Sequence, residues 1–173
     1  MTVPTREEAL KLLREAGCSN GVIEHCLTVT KIAMRIATLF KTKGYYVDIR
    51  LIESGAMLHD IGRSVAHGIE HGVIGGQIAR KIGLDEDVAR IIERHVGAGL
   101  TPDEAKKNNL PRGDYVPKTL EEKIVCYADK LTEGSREVGI EVEVEKLAFE
   151  LGGSHTAVKR LQDLHEEITN KLQ

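Results

Sequence analysis

Apolar residues recur every three to four positions along almost the whole chain, the spacing that gathers them on one face of an α-helix. The stretches between them carry start and stop signals. Thr5 with Glu8 makes a capping box, each side chain satisfying the other's backbone N–H, and the helix it opens ends near Gly17. Asn20 can cap a long helix to about Lys43 that carries Val29, Ile32, Ile36 and Leu39 on one face. Asp48 opens a third, ending at the turn His59-Asp60-Ile61-Gly62, and further helices are predicted over 70–82 and 85–96. Thr119 with Glu122 is a second capping box, starting the helix that bears Asp129.

Two stretches are less regular. Residues 97–118 are rich in Gly, Pro and Asn, carry Lys106, Lys107, Arg112 and Lys118, and read as a long ordered loop, either a lid or a surface excursion. In the tail, Glu141-Val142-Glu143-Val144-Glu145 alternates like an edge strand, but Ile140, Val144, Leu147 and Leu151 have helical spacing, and helix is the better reading. A last amphipathic helix carries Val158, Leu161, Leu164, Ile168 and Leu172. The expectation is one all-α domain over 1–173, with a C-terminal helical extension over about 140–173.

Composition narrows the function. At 173 residues the chain can bury one core without disulfides, and Cys18, Cys26 and Cys126 lack the CxxC spacing of a zinc knuckle. No apolar run approaches the ~18 residues needed to span a bilayer, and the N-terminus lacks a basic-then-apolar leader, so the expected location is the cytoplasm, with no membrane partner. A net charge of −3 and 3% aromatic residues argue against nucleic acid as the main partner. A small anionic substrate, held by local Lys or Arg groups, is compatible with both.

The informative residues are polar ones placed on apolar stripes. His25 is in register with Val29, Ile32 and Ile36; His59 with Ile52, Gly55 and Ala56; His71 with Ile74, Ile78 and Ile82; and His95 with Val88, Ile91 and Ile92. Asp129 follows Val125 and Cys126 at helical spacing. A lone inward histidine is an ordinary hydrogen-bonded core residue, and a lone aspartate near a helix end is usually a cap. Five such residues on five helices are different, because burying them unpartnered costs several kcal/mol each and one shared metal satisfies all of them. Neutral imidazole with carboxylate suits Fe, Mn, Co, Ni or Zn, and Mg less well. Adjacent His59 and Asp60 would lie about 100° apart on a continuing helix, so the helix must end there for both to share an ion.

The order His25, then His59-Asp60 within MLHDIGR, then Asp129 within CYADKL resembles the HD-domain metal-dependent phosphohydrolase superfamily over roughly residues 20–136. The resemblance implies one metal on these four residues and hydrolysis of phosphoester or phosphoanhydride bonds, commonly of nucleotides, by metal-activated hydroxide. His71 in EHGVIGG and His95 in ERHVGAG look like the extra histidines of two-metal branches such as the diadenosine tetraphosphate hydrolases. In such sites Asp60 would bridge two ions, one on His25, His59 and Asp129, the other on His71 and His95. Arg63 stands after HDIG where many relatives carry Lys. Arg63, Lys130 and Arg136 are candidates for charge stabilisation or phosphate binding, and His67 for substrate contact; the ordinary reading of each cation is a solvated surface charge. No GYP triplet follows the HDIG stretch, which argues against the cyclic-di-GMP phosphodiesterase branch. Two other readings compete: a di-iron oxygenase on the same scaffold, and a metal- or nucleotide-sensing module without catalysis. Homo-oligomerisation through the last two helices is compatible with their exposed faces.

Overall fold

The capping signals start most of the helices where the sequence puts them. In the computed structural model, which describes residues 2–173, nine α-helices and one two-stranded hairpin make up the regular structure. They are α1 (Arg6–Glu15), α2 (Asn20–Thr42), α3 (Ile49–Leu58), α4 (His71–Lys81), α5 (Glu86–Glu93), α6 (Pro102–Lys107), α7 (Leu120–Lys130), α8 (Ile140–Leu151) and α9 (Thr156–Leu172). Both expected capping boxes are formed, at Thr5 and Thr119. The cap of α2 is Ser19 rather than Asn20: its hydroxyl accepts from the Val22 N–H, and Asn20 is the first helical residue.

Two departures shape the site. Residues 97–118 are not all loop. Thr101 and Glu104 make a third capping box with Pro102 at the first helical position, and the resulting α6 is too short to show a periodic stripe. Residues 132–137 form a hairpin, with β1 (Thr132–Glu133) antiparallel to β2 (Arg136–Glu137) around Gly134-Ser135. Two-residue strands leave no alternation to read.

The long α2 runs through the domain and packs against α3 and α7. One half of the core joins Val29, Ile32, Ile36 and Phe40 of α2 to Ile52, Ile91, Ile124 and, from the last helix, Leu164 and Ile168. The other half joins Leu13, Ile23, Met57, Leu58, Val88 and Ile92. A small third cluster of Val73, Ala105 and Tyr115 closes the 97–118 segment onto α4. At the junction between the two large clusters lie the ends of α3 and α5, the start of α4 and the second turn of α2.

Candidate metal centre

α3 stops at Leu58; His59 is its C-terminal cap, Asp60 has left the helix (φ −99°, ψ 14°), and a 3₁₀ turn follows over Ile61–Ser64. That change of backbone direction turns both side chains into one space. Gly62 enables it, though not through a left-handed conformation. A Cβ at Gly62 would lie 1.9 Å from the His71 carbonyl oxygen and 2.7 Å from the Gly75 nitrogen, so only glycine lets the HDIG turn rest on the start of α4. His71 is the first residue of α4, and His95 lies just beyond Glu93, where α5 ends, one turn earlier than the sequence reading placed it.

The structure brings His25, His59, Asp60, His71, His95 and Asp129 together. Asp60 stands in the middle. Its Oδ1 lies 3.1 Å from His71 Nε2 and 3.4 Å from His95 Nε2. Its Oδ2 lies 3.8 Å from both His25 Nε2 and His59 Nε2. Asp129 Oδ1 is 2.9 Å from His25 Nε2 and 3.6 Å from His59 Nε2. His71 and His95 bring their Nε2 atoms within 3.0 Å of each other. His59, Asp60, His71 and His95 are buried, and His25 is half-buried.

The outer nitrogens explain what these inner atoms can do. Each Nδ1 lies against a backbone carbonyl: His59 on Ala56 at 2.7 Å, His71 on Gly68 at 2.6 Å, His95 on Ile92 at 2.7 Å and His25 on Gly134 at 2.7 Å. A carbonyl can only accept, so each Nδ1 carries the proton and, in the neutral ring, each Nε2 presents a lone pair inward. Four lone pairs and two carboxylates therefore face one another, an acceptor cluster that needs a cation. Protons cannot meet the need throughout. Burial works to lower the His59 pKa, but Asp60, Cys26 and Asp129 together outweigh it and hold His59 well above its ordinary range. Burial wins at His95 and pushes it down to about 4, leaving it neutral near pH 7. His59 Nε2 and Asp60 Oδ1 are buried without a hydrogen-bond partner of good geometry.

Donor spacing fits a metal. Atoms bound at about 2.0–2.2 Å to one ion lie roughly 3–3.5 Å apart, close to the 2.9–3.8 Å seen here. Two sets of three donors converge, His25 with His59 and Asp129, and His59 with Asp60 and His95. Three imidazoles take their carbonyl from three residues earlier in the chain, a local geometry that presets ring orientation. His25 takes its carbonyl from the hairpin, which the sequence reading did not contain.

The two cations nearest the cluster are already engaged. Arg63 donates from Nε to Asp60 Oδ2 at 2.8 Å and from a terminal nitrogen to the His67 carbonyl at 3.2 Å. Lys130, itself buried, donates to Asp129 Oδ2 at 2.6 Å. Burial works to raise the Asp129 pKa, but the Lys130 charge together with His25 and His59 beside it holds Asp129 well below the carboxylate range. Both pairings use Oδ2; Asp129 Oδ1 faces His25 and His59 and Asp60 Oδ1 faces His71 and His95, while Asp60 Oδ2 also lies 3.8 Å from His25 and His59. Since two cations balance two carboxylates, any bound divalent ion leaves the floor net positive.

Around the floor opens a cavity of about 790 Å³, lined among others by His67, Arg63, Lys130, residues 96–100 and one side of α8. Arg136 does not line it. Arg136, expected from the sequence as a substrate contact, sits on β2, largely exposed, 3.8 Å from Glu133. Sequence reasoning missed Arg160 of α9, which donates to the Ala98 and Gly99 carbonyls at 3.1 and 2.9 Å and anchors the loop after His95. It also missed the α8 side chains on the cavity. Cys126 is buried and donates to the His95 carbonyl at 3.6 Å.

A helical domain whose centre is built from a His-Asp pair at a helix end, with a histidine before and an aspartate after it, defines the HD class. The chain belongs to that family: the HD domain model matches residues 22–134. An uncharacterized protein of Methanocaldococcus jannaschii is 49% identical over 96% of this chain and 98% of its own length. The tRNA (cytidine(56)-2'-O)-methyltransferase of Picrophilus torridus is 39% identical over 97% of this chain, which spans only 47% of that enzyme. Ribonuclease Y of Acidothermus cellulolyticus is 31% identical over 59% of this chain and 18% of its own. Among solved structures, the L. monocytogenes phosphodiesterase PgpH HD domain in complex with cyclic-di-AMP shares the fold, with a TM-score of 0.58, 16% identity and 94% and 95% of the two chains covered. Among the described residues no helix is long and apolar enough to cross a membrane.

Proposed function

We propose that the protein is a divalent-metal phosphohydrolase acting on a nucleotide or another small phosphorylated compound. The observation that carries this reading is the acceptor cluster: four imidazole Nε2 lone pairs and two carboxylates facing one another at the base of an open cavity. Membership of the HD family and kinship with enzymes named ribonuclease and phosphodiesterase support the reaction class. His25, His59 and Asp129 would hold one ion and His71 and His95 another, with Asp60 between them. When bound, such ions supply Lewis-acid activation of water and of the phosphoryl oxygens.

The chain's own residues do the rest. Carbonyl contacts lock the four rings in one tautomer, so no reorganisation is needed at the moment of reaction. Arg63 orients Asp60 and keeps further N–H donors toward the cavity for a phosphoryl oxygen. Lys130 holds Asp129 ionised and adds positive charge beside it. The test is elemental analysis of purified protein, with hydrolysis of p-nitrophenyl phosphate and bis(p-nitrophenyl) phosphate in Mn(II), Fe(II), Co(II), Ni(II) or Zn(II). Asp60→Asn should remove most bound metal and lower turnover by roughly 100-fold or more. Turnover that survives this change would sink the mechanism, and oxygen uptake without phosphate release would favour an oxygenase.

A second reading follows from one observation: the chain spans about half the length of the methyltransferases of Picrophilus torridus and Thermoplasma volcanium. In it the domain works beside a tRNA methyltransferase. Sedimentation of a mixture of the two proteins tests this, and no complex at micromolar concentrations would eliminate it.

A further inference from the structure

One wall of the cavity is built from a helix that the core does not use. α8 has no buried residue and rests chiefly on α9. Val142, Glu143, Lys146, Leu147, Glu150 and Leu151 nevertheless line the cavity together. Their positions recur at helical spacing, so they form one stripe along the helix. The stripe is mixed apolar and acidic, and its one cation lies 3.8 Å from Glu143. Glu133 of the hairpin lines the same cavity. The floor, by contrast, holds Arg63 and Lys130 and would gain positive charge with every ion bound.

Resting on the phosphohydrolase reading, we infer that α8 is a specificity wall, selecting compounds with one phosphoryl group on an uncharged, apolar-faced body over polyphosphates and nucleic-acid strands. The phosphoryl group is drawn to the positive floor. The rest of the molecule must then lie along Val142, Leu147 and Leu151, with Glu143 and Glu150 accepting hydrogen bonds from hydroxyl or amino groups. A nucleoside monophosphate has this distribution. A triphosphate or an RNA strand brings additional anions to the acidic wall, where like charges repel. The cavity volume, about 790 Å³, is within the range that encloses a whole small molecule rather than a phosphate alone.

Glu150 is the residue to change, because it is exposed and belongs to neither the metal cluster nor the core. With Mn(II)-loaded protein, kcat/KM should favour AMP over ATP by about tenfold or more. Glu150→Lys should narrow that ratio by roughly tenfold, mainly through KM for ATP, with Glu150→Gln shifting it less in the same direction. Equilibrium binding of AMP and ATP, measured by calorimetry on the same proteins, reads the selectivity without turnover. An AMP-to-ATP ratio, in binding and in kcat/KM, that is unmoved by Glu150→Lys overturns the inference even if p-nitrophenyl phosphate is hydrolysed. Loss of hydrolysis with all metals, alongside a binding preference that Glu150→Lys narrows, would instead remove the phosphohydrolase reading and leave the wall in place.

Discussion

His71 and His95 show how much one tautomer decides. Their Nδ1 atoms are committed to carbonyls of Gly68 and Ile92, so their Nε2 atoms, 3.0 Å apart, meet as two lone pairs. Such a contact is repulsive unless a cation lies between or beside the rings. His71→Ala or His95→Ala should therefore reduce bound metal by one ion per chain while His25, His59 and Asp129 keep the other, with turnover down roughly 100-fold. Inductively coupled plasma spectrometry checks the stoichiometry. A wild-type protein holding a single ion, unchanged in either variant, would reduce the centre to the four-residue version. Five of the six residues were legible in the sequence because each sits on an apolar stripe, and Asp60 because it follows His59 where the helix must end. Arg63 and Lys130 were legible only as charges near the motif: that they pair with Asp60 and Asp129 depends on rotamers no sequence pattern encodes.

Among the elements, the junction between α3 and α4 is the tightest constraint. The HDIG glycine suggests a turn, and a turn is present, but its residue identity is set by the backbone of α4 passing against it. Gly62→Ala would drive a methyl group into the His71 carbonyl, an overpacking that costs about 1–3 kcal/mol or more. At about 2–4 °C per kcal/mol for a domain of this size, the midpoint should fall by roughly 5 °C or more in a thermal melt. Metal affinity should weaken as well, since His71 is carried by the displaced segment. A variant as stable as wild type and fully metallated would show that the two segments separate without cost. The elements missed in the sequence, α6 and the β1–β2 hairpin, are both short. A six-residue helix and two-residue strands fall below the length at which periodicity can be counted, although the Thr101–Glu104 capping box was there to be read.

At the scale of the molecule, the centre ties together segments from the second turn of α2 to the end of α7, with Arg160 of α9 bracing the loop after His95. An ion bound only by the folded chain stabilises it by mass action, about 2.7 kcal/mol at a free concentration one hundred times its dissociation constant. Adding EDTA to metallated protein should therefore lower the thermal midpoint by roughly 5–10 °C, and Mn(II) or Zn(II) should restore it. An unchanged midpoint in scanning calorimetry would mean that the cluster is not a metal centre in the folded state.

What the sequence determined by itself was the helical class, most helix starts, and five of the side chains aimed inward, because helical periodicity and capping are local and repeat over many residues. Tertiary structure alone decided the rest. Arg136 stands on the exposed side of a hairpin, and the carbonyl of Gly134 meets His25 from the same hairpin. α8 became a cavity wall, although its stripe looks like any amphipathic face. Whether such a stripe meets a core or a cavity depends on where other segments of the chain lie, and local pattern does not carry that information.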